Sequence, residues 1–174
     1  MGVLRRRKFR SKRVFGEPRK LYRNRSSGSP SPRGSFVTSV LAVRSLITGK
    51  AHGALLVLSD GLSFWGGLDP ASGEIVDSQH PQRGQNVRGK VIVLPSPKGS
   101  TAAPGALLEC LCAGNGPAAI VLVRPDVTPV AAVLAADIVA IPSIPIVQLL
   151  HPSDLASFDL ATHALLNGEE LILS

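Results

Sequence analysis

From residue 39 onward, apolar residues come in short runs broken by Gly, Pro and polar positions, and before that no apolar period exists. Val91-Ile92-Val93-Leu94, β-branched and closed by Pro95, predicts a buried strand. The spacing of Leu107, Leu108, Leu111 and Cys112 predicts one face of a helix. Strand, tight turn and helix therefore follow one another, and the turn contains Lys98-Gly99-Ser100-Thr101. A helix start collects unpaired backbone N–H groups and the positive end of the helix dipole, so an ammonium and two hydroxyls at this point suit an anion, or an oxygen that must become one. Ser100 or Thr101 reads equally as an ordinary N-cap, with Pro104 in the first turn.

The remaining runs predict a mixed architecture. Val40–Ile47 and Ala54–Leu58 read as strands around a turn at residues 48–53, and Gly73–Asp77 as a short strand. Between them, residues 59–70 form a long loop with the only tryptophan, Trp65, which either plugs the core or serves function. Residues 78–90 predict a polar loop, and Asn115-Gly116-Pro117 a helix stop. Ala118–Val123 reads as a buried strand, and Pro129–Val139 as a helix capped by Asp126 or Thr128. Ile144–Leu149 is a third core strand, Pro152–Phe158 a helical turn, and Leu160–Leu166 with Leu171–Ser174 a hairpin across Asn167-Gly168. The β-rich start followed by β-α-β-α-β places the helices on one side of the sheet.

Charge divides the chain of 174 residues in two. Residues 1–43 hold twelve Lys or Arg against Glu17 alone, whereas residues 44–174 hold seven against eleven acids. The first part is expected to be a basic extension, disordered in isolation, and residues 44–174 one mildly acidic folded domain. Nucleic acid is thereby disfavoured as the ligand of the folded part. Three readings of the extension stay open: a mitochondrial transit peptide, an RNA-binding arm with Phe9, Phe15 and Tyr22 among its cations, or a start-site artefact. With no secretory signal and no apolar run of ~18 residues, the expected location is cytoplasmic unless the extension directs import.

Candidate chemistry is sparse. No phosphate-binding glycine-lysine loop, dinucleotide fingerprint or zinc-spaced Cys/His set occurs. Cys110 and Cys112 lie two apart on a predicted helix and point apart, which suits neither a disulfide nor a shared metal. A triad of Ser100, His80 and Asp77 lacks the Gly-x-Ser-x-Gly elbow of a hydrolase. His52, His151 and His163 are expected at the surface.

One ordered set of blocks is more specific. Ser63-Phe64-Trp65-Gly66-Gly67-Leu68-Asp69-Pro70, His80-Pro81, Gly89-Lys90-Val91, Lys98-Gly99-Ser100 and Gly116-Pro117-Ala118-Ala119-Ile120 together resemble the small subunit, or swivelling domain, of the aconitase X family. The resemblance implies a three-layer β/β/α fold that closes over a large subunit carrying an iron–sulfur cluster. It also implies a hydro-lyase, whose known substrates in the family are cis-3-hydroxy-L-proline and mevalonate 5-phosphate. Ser100 would then be the catalytic base. Lys98, Gly99, Thr101 and the loop Ser63, Phe64, Trp65, Gly66 and Gly67 would bind substrate. This chain would hold no metal or cofactor itself, because two badly placed thiols cannot ligate a cluster. The alternative is a non-catalytic binding module whose basic tail engages RNA.

Overall fold

The computed structural model describes residues 39–96, 98–99 and 101–174. Basic residues 1–38, and with them the readings of the extension, lie outside the described residues, as does Ser100. The first strand begins at Ser39, inside the stretch that charge assigned to the extension.

Among the described residues, seven strands close into a barrel in the order β1-β7-β6-β5-β2-β8-β9. They are β1 (Ser39–Ile47), β2 (Lys50–Val57), β5 (Val91–Leu94), β6 (Ala119–Leu122), β7 (Ile146–Leu149), β8 (His163–Asn167) and β9 (Glu170–Leu173). Strands β2, β5, β6 and β7 run parallel, with Leu56 opposite Ile92, Ile92 opposite Ile120 and Ile120 opposite Ile146. Helices α2 (Ala103–Cys112) and α3 (Val127–Ile138) make the two crossovers on one side. The long β2-to-β5 connection contains an irregular turn, α1 (Phe64–Gly67), and the small ladder of β3 (Leu68–Asp69) with β4 (Glu74–Ile75). Strands β1 and β2 are separated only by Thr48-Gly49, a shorter turn than the sequence suggested, yet they do not pair. Each instead spans both sheets: β1 pairs with β9 and then β7, and β2 with β8 and then β5.

The three layers follow from alternation. Every residue of β5 and β6 is buried, as a parallel strand covered on both faces requires. Ile92, Leu94, Ile120, Leu122 and Ile146 face Leu107, Cys110 and Leu111 of α2 and Ala132, Val133 and Ala136 of α3. Val91, Val93, Val121, Val147 and Leu149 turn the other way, into the barrel, against Ala164, Leu166, Leu171 and Leu173. The sequence expectation of a β/β/α domain with its helices on one side matches this arrangement.

Helix ends refine the sequence expectations. Asp126 caps α3, its Oδ1 accepting the Thr128 N–H at 2.8 Å. Helix α2 starts after Ala102, which offers no side-chain cap, so Thr101 does not have the capping role considered for it. Its stop is Gly114 rather than Asn115-Gly116-Pro117: with Gly114 at φ +71°, the N–H groups of Gly114 and Asn115 reach the carbonyls of Leu111 and Cys110. Helix α3 ends the same way, with the N–H groups of Ala140 and Ile141 on the carbonyls of Asp137 and Ala136. Here, however, the left-handed position is held by an alanine, at φ +58°. In the closing hairpin, Asn167 pairs with Glu170, so the turn is Gly168-Glu169, one residue later than expected.

The two caps give opposite expectations. Ala140→Gly relieves the left-handed strain of a β-carbon and should raise stability by about 1 kcal/mol, whereas Gly114→Ala should lower it by a similar amount. Urea unfolding of the two variants beside the wild type measures both.

Candidate active site

Parallel strands deliver their loops to one edge, and in this barrel the loops after β2 and β5 meet at their carboxyl ends. Gly61 makes the meeting close: a β-carbon there would lie 2.8 Å from the Ser96 carbonyl and 2.9 Å from Lys98 Cβ. The polypeptide that leads toward α2 therefore rests directly on the loop that follows β2.

Lys98 is the electrostatic centre of this edge. Its Nζ donates to Asp77 Oδ2 at 3.3 Å and lies 3.9 Å from Asp60 Oδ2. Asp77 is the more enclosed partner, with 21% of its side chain exposed against 56% for Asp60. Its other oxygen accepts the Gln79 N–H at 2.9 Å. That backbone hydrogen bond, followed by the one from Lys98, holds the Asp77 carboxyl below its usual value of 3.8.

His80 ties the same loops together from beneath. It is 3% exposed, and its Nδ1 accepts the Gln82 N–H at 3.1 Å. The proton therefore sits on Nε2, which donates to the Asp60 carbonyl at 3.3 Å. With both ring nitrogens committed to backbone, His80 has no nitrogen left for a nucleophile, which removes the Ser-His-Asp hydrolase arrangement. The His80 N–H reaches the Asp77 carbonyl at 3.1 Å, and Gln82 receives the N–H and hydroxyl of Ser59 on its Oε1. Asp60, Gly61 and Gln82 were not singled out from the sequence. Only the Asp60-Gly61 turn signal marked that place, and nothing local joins residues 60, 77 and 98.

The expected binding residues separate into groups. Lys98, Gly99 and Thr101 are exposed at the turn before α2, while Ser100 between them lies outside the described residues. Trp65 is 61% exposed, so it does not plug the core; Phe64, 1% exposed, does. Phe64 and Gly67 are both buried: Phe64 packs in the core under the helices, and the Gly67 carbonyl accepts the N–H groups of Val76 and Asp77. Ser63 spends its hydroxyl on the Trp65 carbonyl at 2.9 Å. Exposed Gly66 and Trp65 line an open depression of about 500 Å³ with Leu68, Asp69, Pro70, Val76, Ala106 and Glu109. Among the described residues, none of the Lys98 turn borders it.

Among the described residues no group of three or more His, Cys, Asp or Glu is placed to hold a metal ion. Cys110 is buried and Cys112 exposed, and burial pushes the Cys110 thiol up to about 11. The side chains of this chain do not fit an iron–sulfur cluster, which needs several thiolates. Among the described residues, no helix is long and apolar enough to cross a membrane.

A barrel-and-helix domain of three layers, with a polar edge where its parallel strands end, is the architecture of a swivelling domain. Residues 40–173 match the family model described as the aconitase X swivel domain, and the chain belongs to that family. A cis-3-hydroxy-L-proline dehydratase of Pseudomonas aeruginosa is 42% identical over 87 residues, which is 50% of this chain and 15% of that protein. The phosphomevalonate dehydratase small subunit of Methanosarcina acetivorans is 33% identical over 127 residues, 73% of this chain and 84% of that subunit. Among solved structures, Thermococcus kodakaraensis aconitase X in its holo-form superimposes with a TM-score of 0.64 at 30% identity, covering 78% of this chain and 99% of that one. The chain spans only 15% and 20% of the two hydroxyproline dehydratases that it matches, from Pseudomonas aeruginosa and Hypocrea jecorina.

Two measurements test the electrostatics. Alkylation of the native protein near neutral pH should modify Cys112 and spare Cys110 until denaturant is added, as counted by mass spectrometry. Asp77, and Asp69 with its Ser72 hydrogen bond at 2.6 Å, both have lowered carboxyl values. Their stabilisation is complete above the unfolded carboxylate value and disappears as pH falls through the lower folded values. An Asp69→Asn/Asp77→Asn variant should therefore lose less stability than wild type between about pH 4 and pH 2.

Proposed function

We propose that this chain is the small, swivelling subunit of a hydro-lyase that dehydrates a small hydroxy acid together with a larger partner subunit. Family membership is the observation that carries the reading. The names of the relatives supply its reaction class, and the place of Lys98-Gly99-Ser100-Thr101 ahead of α2 supplies its chemistry.

In this reading Ser100 is the base. Removal of a C–H proton next to a carboxylate transfers that proton to the serine oxygen, the electron pair forms the carbon–carbon double bond, and the hydroxyl departs. A serine hydroxyl is too weak an acid to ionise unaided, so its alkoxide needs donors already aimed at it. The positive end of α2 and the Lys98 ammonium supply positive potential at that turn. Gly99 and Thr101 are assigned to the substrate's carboxylate, with the exposed Trp65-Gly66 loop as a second contact. Because this chain's thiols do not fit an iron–sulfur cluster, the cluster expected in this family is assigned to the partner, and so is assistance to the departing hydroxyl.

Between the two candidate substrates, local charge favours cis-3-hydroxy-L-proline. Two carboxylates already attend Lys98, which leaves little free positive charge for a phosphate dianion, whereas the cationic ring nitrogen of the amino acid is compatible with half-exposed Asp60. The same proposal takes the folded subunit to begin at β1, with the basic stretch before it as a separate extension.

The test is turnover of the full chain mixed anaerobically with its large subunit, offering cis-3-hydroxy-L-proline and mevalonate 5-phosphate in separate assays. Wild type should dehydrate the first. Ser100→Ala should lose more than about a hundredfold in kcat with unchanged thermal unfolding. Retained turnover in that variant refutes the role of Ser100.

A further inference from the structure

The carboxyl-edge loops close into a ring of polar contacts that the proposed chemistry does not use. Starting at Asp77, its carbonyl accepts the His80 N–H at 3.1 Å. The His80 imidazole reaches across to the Asp60 carbonyl at 3.3 Å, and the Asp60 carboxylate lies 3.9 Å from Lys98 Nζ. Lys98 closes the ring on the Asp77 carboxylate at 3.3 Å. Three separate chain segments, after β2, after β4 and after β5, thus share one circuit.

The circuit has a rigid side and a soft side. On the rigid side His80 is buried, and the Asp77 N–H bonds to the Gly67 carbonyl at 3.3 Å while its Oδ1 is fixed by the Gln79 N–H. Asp77 is thereby held from both its backbone and its side chain. On the soft side, Lys98 and Gly99 are exposed and belong to neither a strand nor a helix. Gly61, packed against Ser96 and Lys98, limits their approach from that side. The Lys98 side chain is tied to the rigid side by the pair of aspartates, of which Asp77 is nearer and better enclosed.

Building on the function proposed above, we propose that Asp77 is a positioning residue: through Lys98 it fixes the turn that carries Gly99, Ser100 and Thr101 into α2. Lys98 in this view is chiefly a strut between the β4 loop and the catalytic turn, and a substrate anchor second. A reacting group displaced by about 1 Å can lose on the order of a hundredfold in rate, so a loose strut shows itself in kcat. Loss of a substrate anchor would instead raise KM.

Two readouts test this. Hydrogen–deuterium exchange of the full chain alone, followed in peptides covering residues 95–103, should be faster by on the order of tenfold in Asp77→Asn than in wild type, since local opening is what the tether opposes. In the assembled enzyme the same variant should lower kcat about tenfold or more with KM unchanged. Asp77→Glu, which keeps the charge, should recover most of both. Asp126→Asn removes a carboxylate that also accepts a backbone N–H, that of Thr128 at 2.8 Å, but lies outside the circuit, and should leave kcat as in wild type. Unchanged exchange in Asp77→Asn, faster exchange without a fall in kcat, or an effect confined to KM overturns the positioning role. The exchange comparison needs no partner, so it decides the matter even where the assembled wild type proves inactive, a result that would count against the hydro-lyase reading alone.

Discussion

Burial of β5 and β6 on both faces is the constraint from which the rest of the molecule follows. A strand covered on one side by helices and on the other by a second sheet has no face to give to water. Each four-residue run must supply apolar groups in both directions, and Val91-Ile92-Val93-Leu94 and Ala119-Ile120-Val121-Leu122 do so residue by residue. Helices above such a sheet approach closely only with small side chains at the contact, which Ala103, Ala132 and Ala136, all fully buried, provide. Polar groups are consequently expelled to the ends of the strands. The chemistry of the chain is at the carboxyl edge because the interior of the sheet has no place for it.

The connection from β2 to β5 shows how a long segment with little regular structure keeps a fixed shape. Its carbonyls are claimed by buried or half-buried amide side chains. Asn115 donates to the carbonyls of Pro70 and Ala71, at 3.2 and 2.7 Å, and Asn86 donates to that of Ser72 at 2.7 Å. Gln82 and His80 do the same nearer the site. A buried carbonyl without a partner is costly, so each of these side chains restricts the loop to the one path on which the carbonyls are satisfied. The loop behind the Lys98 ring is in this sense built from the side chains of residues distant in sequence.

The sequence was most informative where the signal is local. Apolar runs, the Asp126 cap and the terminal hairpin all depend on neighbours within a few residues, and strands and helices are found within a few positions of where periodicity put them. Boundaries moved where the backbone had a choice that composition does not reveal. Gly114 and Gly116 both look like helix stops, and only the left-handed angle at Gly114 distinguishes them. Phe64 and Trp65 are adjacent aromatic residues in one loop, and which of them enters the core depends on a turn whose torsion angles leave the helical range at Trp65 and Gly66. The site was half legible: the Lys98-Gly99-Ser100-Thr101 turn is a local pattern, whereas the carboxylates that grip Lys98 lie 21 and 38 positions earlier in the chain. An ion pair between loops leaves no trace in hydrophobic periodicity.

The barrel is completed by pairing Ser39 with Leu173, and Ala42 with Glu170, between the first strand and the last. Until β9 has been synthesised and docked, β1 and β8 each present an unpaired row of backbone donors and acceptors. Contacts of such sequence separation form late because a long loop must first be closed. The last strand acts as a seal: without it the barrel keeps two unpaired strand edges.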